Sequence, residues 1–409
     1  MRLKMKTCCK REWLPFLLVT WLVVCSGSQH FRIYNSFFSN MLLLILAVFY
    51  FIREKQITRS NFIRFWAISF FGALSVWIGV YIRHFQFRLN DAMISLISCA
   101  VLVILQSNMT AMEFKRKYVY FMAAECCLSL VCFALVACSD MNVLPGYYEY
   151  IVPYTDQPGH NIVYLTPYYT MGWFSAQGFF KRNAGMFWEP GAHAVYLNIA
   201  ILFIFSGALN GMKSKSRNIL LGILLSGSLS TMSTTGYLTL AVSFGFLIFR
   251  DPKRWNIRKN MIIIIVVAAA VLGIALFGSV FDKLIYRNGS YGTRLNDTVS
   301  GLSAAFQDWF LGKGMFVDIS GTLKIFGIRN MSNGLVGMMI RVGIPMMFVY
   351  LFLLHRGLKR LFHASGIAIC CVDLFFFLFM CSESLCLFPI FISLLFCWRN
   401  DSDKIERPV

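Results

Sequence analysis

Residues 181–203 read KRNAGMFWEPGAHAVYLNIAILF, a polar and aromatic segment that runs directly into an apolar one. From Pro190 onward the stretch contains no Asp, Glu, Lys or Arg and has the composition of a membrane-spanning helix. Proline is favoured in the first turn of a helix, because the N–H that it lacks would have no partner there. The stretch therefore predicts a helix that begins near Pro190, with polar residues gathered at its entrance.

The composition of the whole chain indicates a membrane protein. Of its 409 residues, 58% are hydrophobic and 16% aromatic, and the mean hydropathy is +0.64. These values exclude an ordinary soluble protein and predict an all-α integral membrane protein. Twelve apolar runs predict about twelve transmembrane helices (eleven to thirteen), although several runs are shorter than the roughly 20 residues that a span needs. The runs lie near 13–28, 36–52, 65–82, 91–108, 118–138, 190–209, 218–231, 235–249, 260–280, 336–354, 364–380 and 384–398.

The distribution of positive charge predicts the orientation of the chain. The formal charge is +19, and most of the 38 Lys and Arg residues fall in the N-terminal segment, the C-terminal tail and every second connection. The positive-inside rule assigns these segments, with both termini, to the cytoplasm. The first apolar run resembles a signal peptide, but Val24 before Cys25 suits cleavage poorly, so the run is interpreted as a transmembrane helix. No contiguous soluble basic domain indicates a nucleic-acid partner.

Two long connections divide the chain into five predicted segments. Connections longer than about 15 residues are uncommon unless they are functional or disordered, and neither one has the composition of disorder. Both are predicted to lie on the outer face of the membrane. The segments are N-terminal transmembrane helices (1–138), a first outer loop (139–189), central transmembrane helices (190–280), a second outer loop (281–335), and C-terminal transmembrane helices with a cytoplasmic tail (336–409).

The two loops differ in character. The first is rich in tyrosine, in PGYYEYIVPYTD (145–156) and VYLTPYYTMGWF (163–174), and these amphipathic rings suit either the headgroup region or stacking on sugars. The second predicts a helix of about 16 residues, ended by Gly312, that lies on the membrane surface or caps the bundle. Its apolar positions, at helical spacing, are Leu295, Val299, Leu302, Phe306 and Trp309.

Several common kinds of catalytic and cofactor site have no motif in this sequence. It contains no nucleotide-binding glycine-rich loop, no HExxH, no GxSxG and no cysteine pair at metal spacing. The 13 cysteines lie in or beside apolar runs and indicate no disulfide framework. The sequence therefore predicts neither a metal ion nor a cofactor.

Five arginines on the predicted outer side are candidates for binding an anion. They oppose the charge bias of the chain, and the planar fork of arginine suits bidentate contacts to phosphate. Arg341 lies inside an apolar run, where a cation is costly and usually faces a polar cavity. The alternatives are pairing with aspartates such as Asp308 and Asp318, or snorkelling toward lipid phosphate. The candidates are Arg182, Arg287, Arg294, Arg329 and Arg341.

Glu189 and His193 are the candidates for acid–base chemistry. They are four residues apart, on one face of the predicted helix, directly after the first outer loop. Such a pair can act as a base and its orienting partner. In the alternative interpretation, Glu189 beside Pro190 only stabilises a helix start, and His193 is a hydrogen-bonded core residue. Glu125 and Asp373 are further acids in apolar runs that could pair across helices, and the sequence assigns neither to a site.

These segments resemble a known family. Residues 182–203 are similar to the R-x-x-G-x-F-x-E-P segment, and the helix after it, of O-antigen and capsular polysaccharide polymerases. Three later stretches resemble, in the same order, segments of the O-antigen polymerase and ligase superfamily. They are a helix hairpin with a Ser/Thr-rich turn (229–249), an arginine with an amphipathic helix and a Gly-x-Gly end (291–315), and a helix after an asparagine (332–354). The resemblance covers roughly residues 180–355.

The resemblance implies a glycosyltransferase-C-like bundle and a metal-independent, inverting glycosyltransferase. Such a polymerase joins undecaprenyl-pyrophosphate-linked repeat units into O-antigen, capsule or exopolysaccharide at the outer face of a bacterial inner membrane. Its partners are the lipid-linked donor and acceptor glycans, membrane lipid and a chain-length regulator. The reaction needs a base for the acceptor hydroxyl and cations for the departing pyrophosphate. Glu189 with His193 fits the first need, and the five arginines fit the second.

One departure from the family pattern separates two of its activities. Where the ligases place a histidine regarded as catalytic, this chain has Ser332 before Asn333, which favours a polymerase over an O-antigen ligase. A lipid-linked oligosaccharide flippase or polysaccharide exporter is an alternative from another class. It would line its path with charge in both halves of the membrane, whereas the candidates here gather on the predicted outer side.

Overall fold

The computed structural model describes most of the chain as helices, with one small sheet. Residues 1, 29–35, 139–147, 152–159, 165–167, 176–177, 251–289, 329–330, 332, 385, 397 and 399–409 are not described. The helices are α1 (Arg2–Gly27), α2 (Ser36–Glu54), α3 (Arg59–Trp77), α4 (Leu89–Asn108), α5 (Ala111–Cys138), α6 (Pro190–Phe205), α7 (Ser214–Ser230), α8 (Thr234–Arg250), α9 (Ser290–Gln307), α10 (Ser320–Ile325), α11 (Gly334–Val342), α12 (Ile344–Phe362), α13 (Ile367–Ser382) and α14 (Pro389–Ser393), and a π-helix (Ile78–Ile82) continues α3.

Long apolar helices fit the predicted class of a mostly helical membrane protein. The described helices that are long and apolar enough to cross a membrane are Phe37–Glu54, Arg59–Ile82, Leu89–Asn108 and Ala111–Leu135. Large apolar side chains such as Phe49, Phe70 and Leu128 are more than half exposed on their outer faces. Apolar side chains on the outside of a helix suit contact with lipid.

The prediction of about twelve spans is wrong for the residues that the structure describes, where four helices meet the length and composition of a span. Other apolar runs form helices that are too short for the roughly 20 residues of a full span: Glu12–Gly27, Pro190–Phe205, Thr234–Arg250 and Ile367–Ser382. The run near 336–354 is divided at Gly343, whose φ of 82° breaks the helical path between α11 and α12. The run near 260–280 lies outside the described residues.

The first predicted loop contains a sheet that the sequence interpretation did not include. Its strands are β1 (Tyr148–Ile151), β2 (His160–Tyr164), β3 (Tyr168–Ser175) and β4 (Gly178–Gly185), all antiparallel in the order β1-β2-β3-β4. Tyrosine and other aromatic residues favour strands, which accounts for strands in the tyrosine-rich stretches. The last strand, β4, packs against α5 and α6 and delivers the chain to Pro190.

Contacts divide the chain into two units. Unit 1 comprises Met1–Ala67, Met93–Met232 and Phe388–Val409, and unit 2 comprises Ile68–Ala92 and Ser233–Leu387. The sheet, α5, α6 and α7 therefore belong to unit 1, whereas α9 and α11 to α13 belong to unit 2.

The core of unit 1 includes a segment from near the end of the chain. The backbone N–H of Ile390, in α14, donates to Ser26 Oγ in α1 at 2.9 Å. The ring of Trp398 stacks on that of Phe114, in α5, with a centroid distance of 4.1 Å. Both rings are buried. The C-terminal segment is thus an integral part of this core.

In unit 2 the Gly-x-Gly end of the amphipathic segment is a close backbone crossing. Gly312 and Gly314 have φ values of +67° and +115°, and the N–H of Gly314 donates to the carbonyl of Arg341 at 2.8 Å. A Cβ at Gly312 would lie 2.5 Å from the nitrogen of Gly343, and one at Gly314 would lie 2.7 Å from the Cα of Gly79. Only glycine fits these positions, both for conformation and for space.

Candidate functional site

The candidate site lies in unit 1, where β4 ends and α6 begins. Glu189 is the N-cap residue of α6, with an extended backbone (φ −157°, ψ 158°), and Pro190 occupies the first turn. The predicted helix start at Pro190 is confirmed. Glu189 makes no side-chain capping hydrogen bond; its Oε1 instead accepts from the indole Nε1 of Trp188 at 3.2 Å. The half-buried carboxylate is therefore oriented by an aromatic neighbour rather than by the amides of its helix.

His193 lies one turn further along α6 and has a different carboxylate partner. Its Nε2 is 3.1 Å from Oε2 of Glu125, which comes from the middle of α5. The two side chains are 0% and 1% exposed. Glu125 Oε1 also accepts from the backbone N–H of Met186 at 3.3 Å. The predicted one-face pairing of Glu189 with His193 is thus replaced by a buried pair that joins α5 to α6.

A tight turn at the end of β4 makes room for this pair. Gly185 has φ +55°, in the left-handed region that glycine adopts at low cost. A Cβ at this position would lie 2.5 Å from Glu125 Oε1 and 2.7 Å from His193 Cε1. The glycine of the R-x-x-G-x-F-x-E-P pattern therefore has a physical reason: the backbone passes directly over the buried pair.

Asn183 ties the same turn to two helices. Its Oδ1 accepts from the N–H of Gly185 at 2.9 Å, which closes a local turn typical of asparagine. Its Nδ2 donates to Ser129 Oγ in α5 at 3.3 Å and to Ser230 Oγ at the end of α7 at 3.0 Å. The side chain is 1% exposed. A single buried amide thus links β4, α5 and α7.

The two ring nitrogens of His193 both face oxygen atoms. Nδ1 is 3.5 Å from the backbone carbonyl of Asn183, which can only accept, and Nε2 faces Glu125. Which ring nitrogen carries the hydrogen depends on the tautomer, and in either one an N–H can donate to one of these oxygens. The two contacts therefore hold the imidazole between β4 and α5.

Aromatic rings support this arrangement. Phe187 stacks on the ring of His193 with a centroid distance of 5.2 Å and on Tyr196 at 4.5 Å. Phe187 and Tyr196 are fully buried, and the Tyr196 hydroxyl donates to the carbonyl of Ser26 at 2.9 Å. These contacts fix the plane of the imidazole and the path of the chain from Met186 to Glu189.

The predicted arginines are distributed over both units. Arg182, in β4, is half-buried, and its Nε donates to the carbonyl of Thr231, next to the end of α7, at 3.0 Å. Arg341 lies in the last turn of α11 in unit 2, where its Nη1 donates to the carbonyl of Val317 at 3.3 Å. Arg341 is the eighth residue of the apolar helix α11, which Gly343 ends two residues later. Arg294 is in α9 with its side chain undescribed, and Arg287 and Arg329 lie outside the described residues.

Asn333 has a structural role at the start of α11. As the N-cap residue, its Oδ1 accepts from the N–H groups of Leu335 and Val336 at 3.1 and 3.2 Å, as asparagine commonly does. Ser332, at the family's histidine position, lies outside the described residues.

Arg182, Glu189 and His193 lie in one short segment of the chain, and the structure joins Glu125 to that segment through His193 and Met186. The sequence assigned Glu125 to no site, although its signal was present: an acid in an apolar run needs a partner. Its pairing across helices is confirmed, as is that of Asp373, whose Oδ2 lies 2.7 Å from His355 Nδ1. Within the described residues, no cluster of three or more His, Cys, Asp or Glu side chains suits a metal ion.

Comparisons with protein-family models, with curated proteins and with solved structures find no match to this chain.

Proposed function

We propose that this protein is a membrane-embedded glycosyltransferase that polymerises undecaprenyl-pyrophosphate-linked repeat units at the outer face of a bacterial inner membrane. The observation that supports this most is the half-buried carboxylate of Glu189, set at the mouth of the apolar helix α6 and oriented by Trp188. The resemblance of residues 182–203 to polysaccharide polymerases supplies the reaction. The product class is O-antigen, capsule or exopolysaccharide.

Glu189 is the proposed general base. Its Oε1 is engaged by the Trp188 indole, so we assign Oε2 to the hydroxyl of the acceptor sugar. Oε2 takes the proton of that hydroxyl while its oxygen attacks the anomeric carbon of the donor glycan. This attack forms the new glycosidic bond. The bond from that carbon to the pyrophosphate oxygen breaks, and undecaprenyl pyrophosphate leaves. Attack opposite the leaving group inverts the anomeric configuration.

His193 and Glu125 have positioning roles in this proposal. Their side chains are excluded from solvent, so they act on the site through the backbone that they hold. Glu125 binds the N–H of Met186, three residues before Glu189, and His193 follows Glu189 by one helical turn. A displacement of about 1 Å in a catalytic group can cost roughly a hundredfold in rate, which gives such supports a large effect.

Arginines are proposed to stabilise the pyrophosphate as its charge develops. Arg182 is the best supported in unit 1, because its guanidinium is fixed through Nε by the Thr231 carbonyl and it lies in the same segment as Glu189. The sequence alone is the basis for proposing the same role for the other four candidates, Arg287, Arg294, Arg329 and Arg341.

The test is polymerisation by purified protein in detergent, supplied with lipid-linked repeat units. A ladder of longer glycans is the expected product. We expect Glu189→Gln to abolish the ladder while the protein remains folded. Glu54→Gln is the matched control, since Glu54 is also half-buried but lies at the end of α2 that is predicted to be cytoplasmic; it should leave the ladder intact.

Other products would support other functions. Transfer of a single preformed chain to an acceptor would indicate a ligase, and transbilayer movement of the lipid without elongation would indicate a flippase or exporter. Either outcome rejects the polymerase. Full activity in Glu189→Gln would be compatible with a polymerase, but it would show that Glu189 is not the general base.

A further inference from the structure

The amphipathic helix α9 turns its large apolar side chains outward. Leu295, Val299, Phe306, Trp309 and Phe310 are between 51% and 63% exposed. Their spacing of three, four and seven residues places them in one stripe along α9 and the turn after it. The sequence predicts an apolar face here. In the structure most of that face is exposed, whereas Leu302 packs against the buried cluster that contains Ala304 and Val336.

The packed face of α9 is built largely from small residues, with the buried Asp297 and the partly buried Leu302 beside them. Gly301, Ala304 and Ala305 are buried and lie near Val336 and Ile340 of α11. A Cβ at Gly301 would lie 2.6 Å from Val336 Cγ1, so the two helices approach closely because this position is glycine. These positions pack α9 into unit 2, and the exposed apolar side chains of the stripe contribute little to that packing.

The stripe is continuous with the outward face of α12. The N–H of Ile344, the first residue of α12, donates to the carbonyl of Trp309 at 2.7 Å. One turn later, α12 presents Phe348 and Phe352, which are 61% and 58% exposed. The end of the stripe is therefore hydrogen-bonded to the start of a helix that also exposes large apolar side chains.

A polar edge borders the stripe on α9. Asn296, Ser303 and Gln307 are exposed and fall together on the helical wheel, between the apolar stripe and the packed face. A helix with separate apolar and polar exposed surfaces, ending in aromatic residues such as Trp309, is the pattern of a helix that lies in a membrane interface.

We propose that the stripe is inserted into the bilayer interface, with lipid acyl chains as its partner and the polar edge toward the headgroups. The inference is independent of the proposed enzymatic function, because it rests only on the exposure and packing of α9 and α12. The exposed apolar residues of α12 next to the stripe favour lipid over a second copy of the chain, because both helices then contact the same acyl chains.

The test uses adjacent positions on α9. Phe306→Trp adds a reporter to the stripe, and Gln307→Trp adds one to the polar edge, each measured as the emission gained over the nine native tryptophans. Each variant is reconstituted into phosphatidylcholine vesicles, with or without bromine on the acyl chains, and is also titrated with aqueous acrylamide. Both substitutions are at exposed positions, so both variants should fold, which thermal melting in detergent verifies.

We expect the added emission of Phe306→Trp to be lost on brominated lipid and largely retained with acrylamide, and that of Gln307→Trp to show the reverse. Equal loss of both reporters with acrylamide would place the stripe in water. Retention of the Phe306→Trp emission with both quenchers would show that protein, such as a second copy, covers it. Either result overturns the proposal.

Discussion

Nε2 of His193 lies 3.1 Å from Oε2 of Glu125, and solvent reaches neither side chain appreciably. The two residues come from different helices and are 68 positions apart in the sequence. Each satisfies the other where an unpaired ionisable group would be costly. The turn that precedes Glu189 is hydrogen-bonded to the same carboxylate, so the pair couples helix packing to the candidate site.

Removing Glu125 should destabilise the protein strongly. Glu125→Ala leaves His193 and the Met186 N–H buried without their partner, which we expect to cost about 3–5 kcal/mol. Glu125→Gln can still accept from Met186 and should cost less. Thermal melting of the purified protein measures both. The control is Glu113→Ala on the same helix. The Glu113 carboxylate is partly exposed and lies 3.7 Å from Lys117, which keeps a closer partner in Glu12, so we expect a smaller loss. Equal losses at Glu113 and Glu125 would argue against the structural importance of the buried pair.

Gly185→Ala should be far more damaging than a glycine substitution of similar backbone conformation elsewhere. Both Gly185 and Gly211 have positive φ, +55° and +93°, so alanine at either adds backbone strain of about 1–3 kcal/mol. At Gly211 no atom lies within 4 Å of the added Cβ, whereas at Gly185 it meets the Glu125 carboxylate at 2.5 Å. The difference between the melting temperatures of Gly185→Ala and Gly211→Ala therefore measures the effect of the steric clash at Gly185. Similar values for both variants would mean that the turn over the pair can move freely.

The pair between α12 and α13 allows a double-mutant test. His355 Nδ1 and Asp373 Oδ2 are 2.7 Å apart beside a cavity of about 280 Å³ whose other lining is apolar. Asp373→Leu alone leaves the imidazole without this partner. Because the two side chains are 43% and 34% exposed, the change should lower stability by about 0.5–1.5 kcal/mol. Adding His355→Leu should restore much of the loss, since paired polar groups in apolar surroundings can be replaced by apolar ones at little cost. Additive losses in the double variant would contradict this coupling.

Asp318 should contribute to stability with a definite dependence on pH. The N–H of Ser320 donates to its carboxylate at 2.9 Å, which is the main cause of a pKa below the usual range, and Arg88 adds a 3.0 Å contact. Because its folded pKa is lowered, its contribution is complete above the unfolded pKa of about 4 and is lost as pH falls through the folded value. Asp318→Asn should therefore lower the melting temperature near neutral pH slightly and flatten its decline in acid. The effect is small because the carboxylate is partly exposed to solvent. Parallel profiles for the two proteins would contradict this prediction.

Much of the architecture follows from local sequence, whereas the site depends on contacts between distant residues. The helix at Pro190 and the amphipathic helix α9 are encoded by apolar spacing and by proline, which act over a few residues. The sequence shows that Glu125 needs a partner, because it is an acid in an apolar run, but that this partner is His193 depends on how α5 packs against α6. The outward direction of the α9 stripe was also open from sequence, since periodicity identifies an apolar face and not what covers it. Short apolar runs were counted as spans because composition alone does not report helix length.

The packing of α14 and Trp398 into unit 1 constrains the order in which the protein can mature during synthesis. The ribosome must produce all of unit 2 before it produces the residues that hydrogen-bond to Ser26 and stack on Phe114. Unit 1 therefore lacks these contacts while unit 2 is made. Ile390 and Trp398, made after unit 2, complete the packing of the unit that was begun first, so a chain cut short near residue 387 would lack the contacts to Ser26 and Phe114.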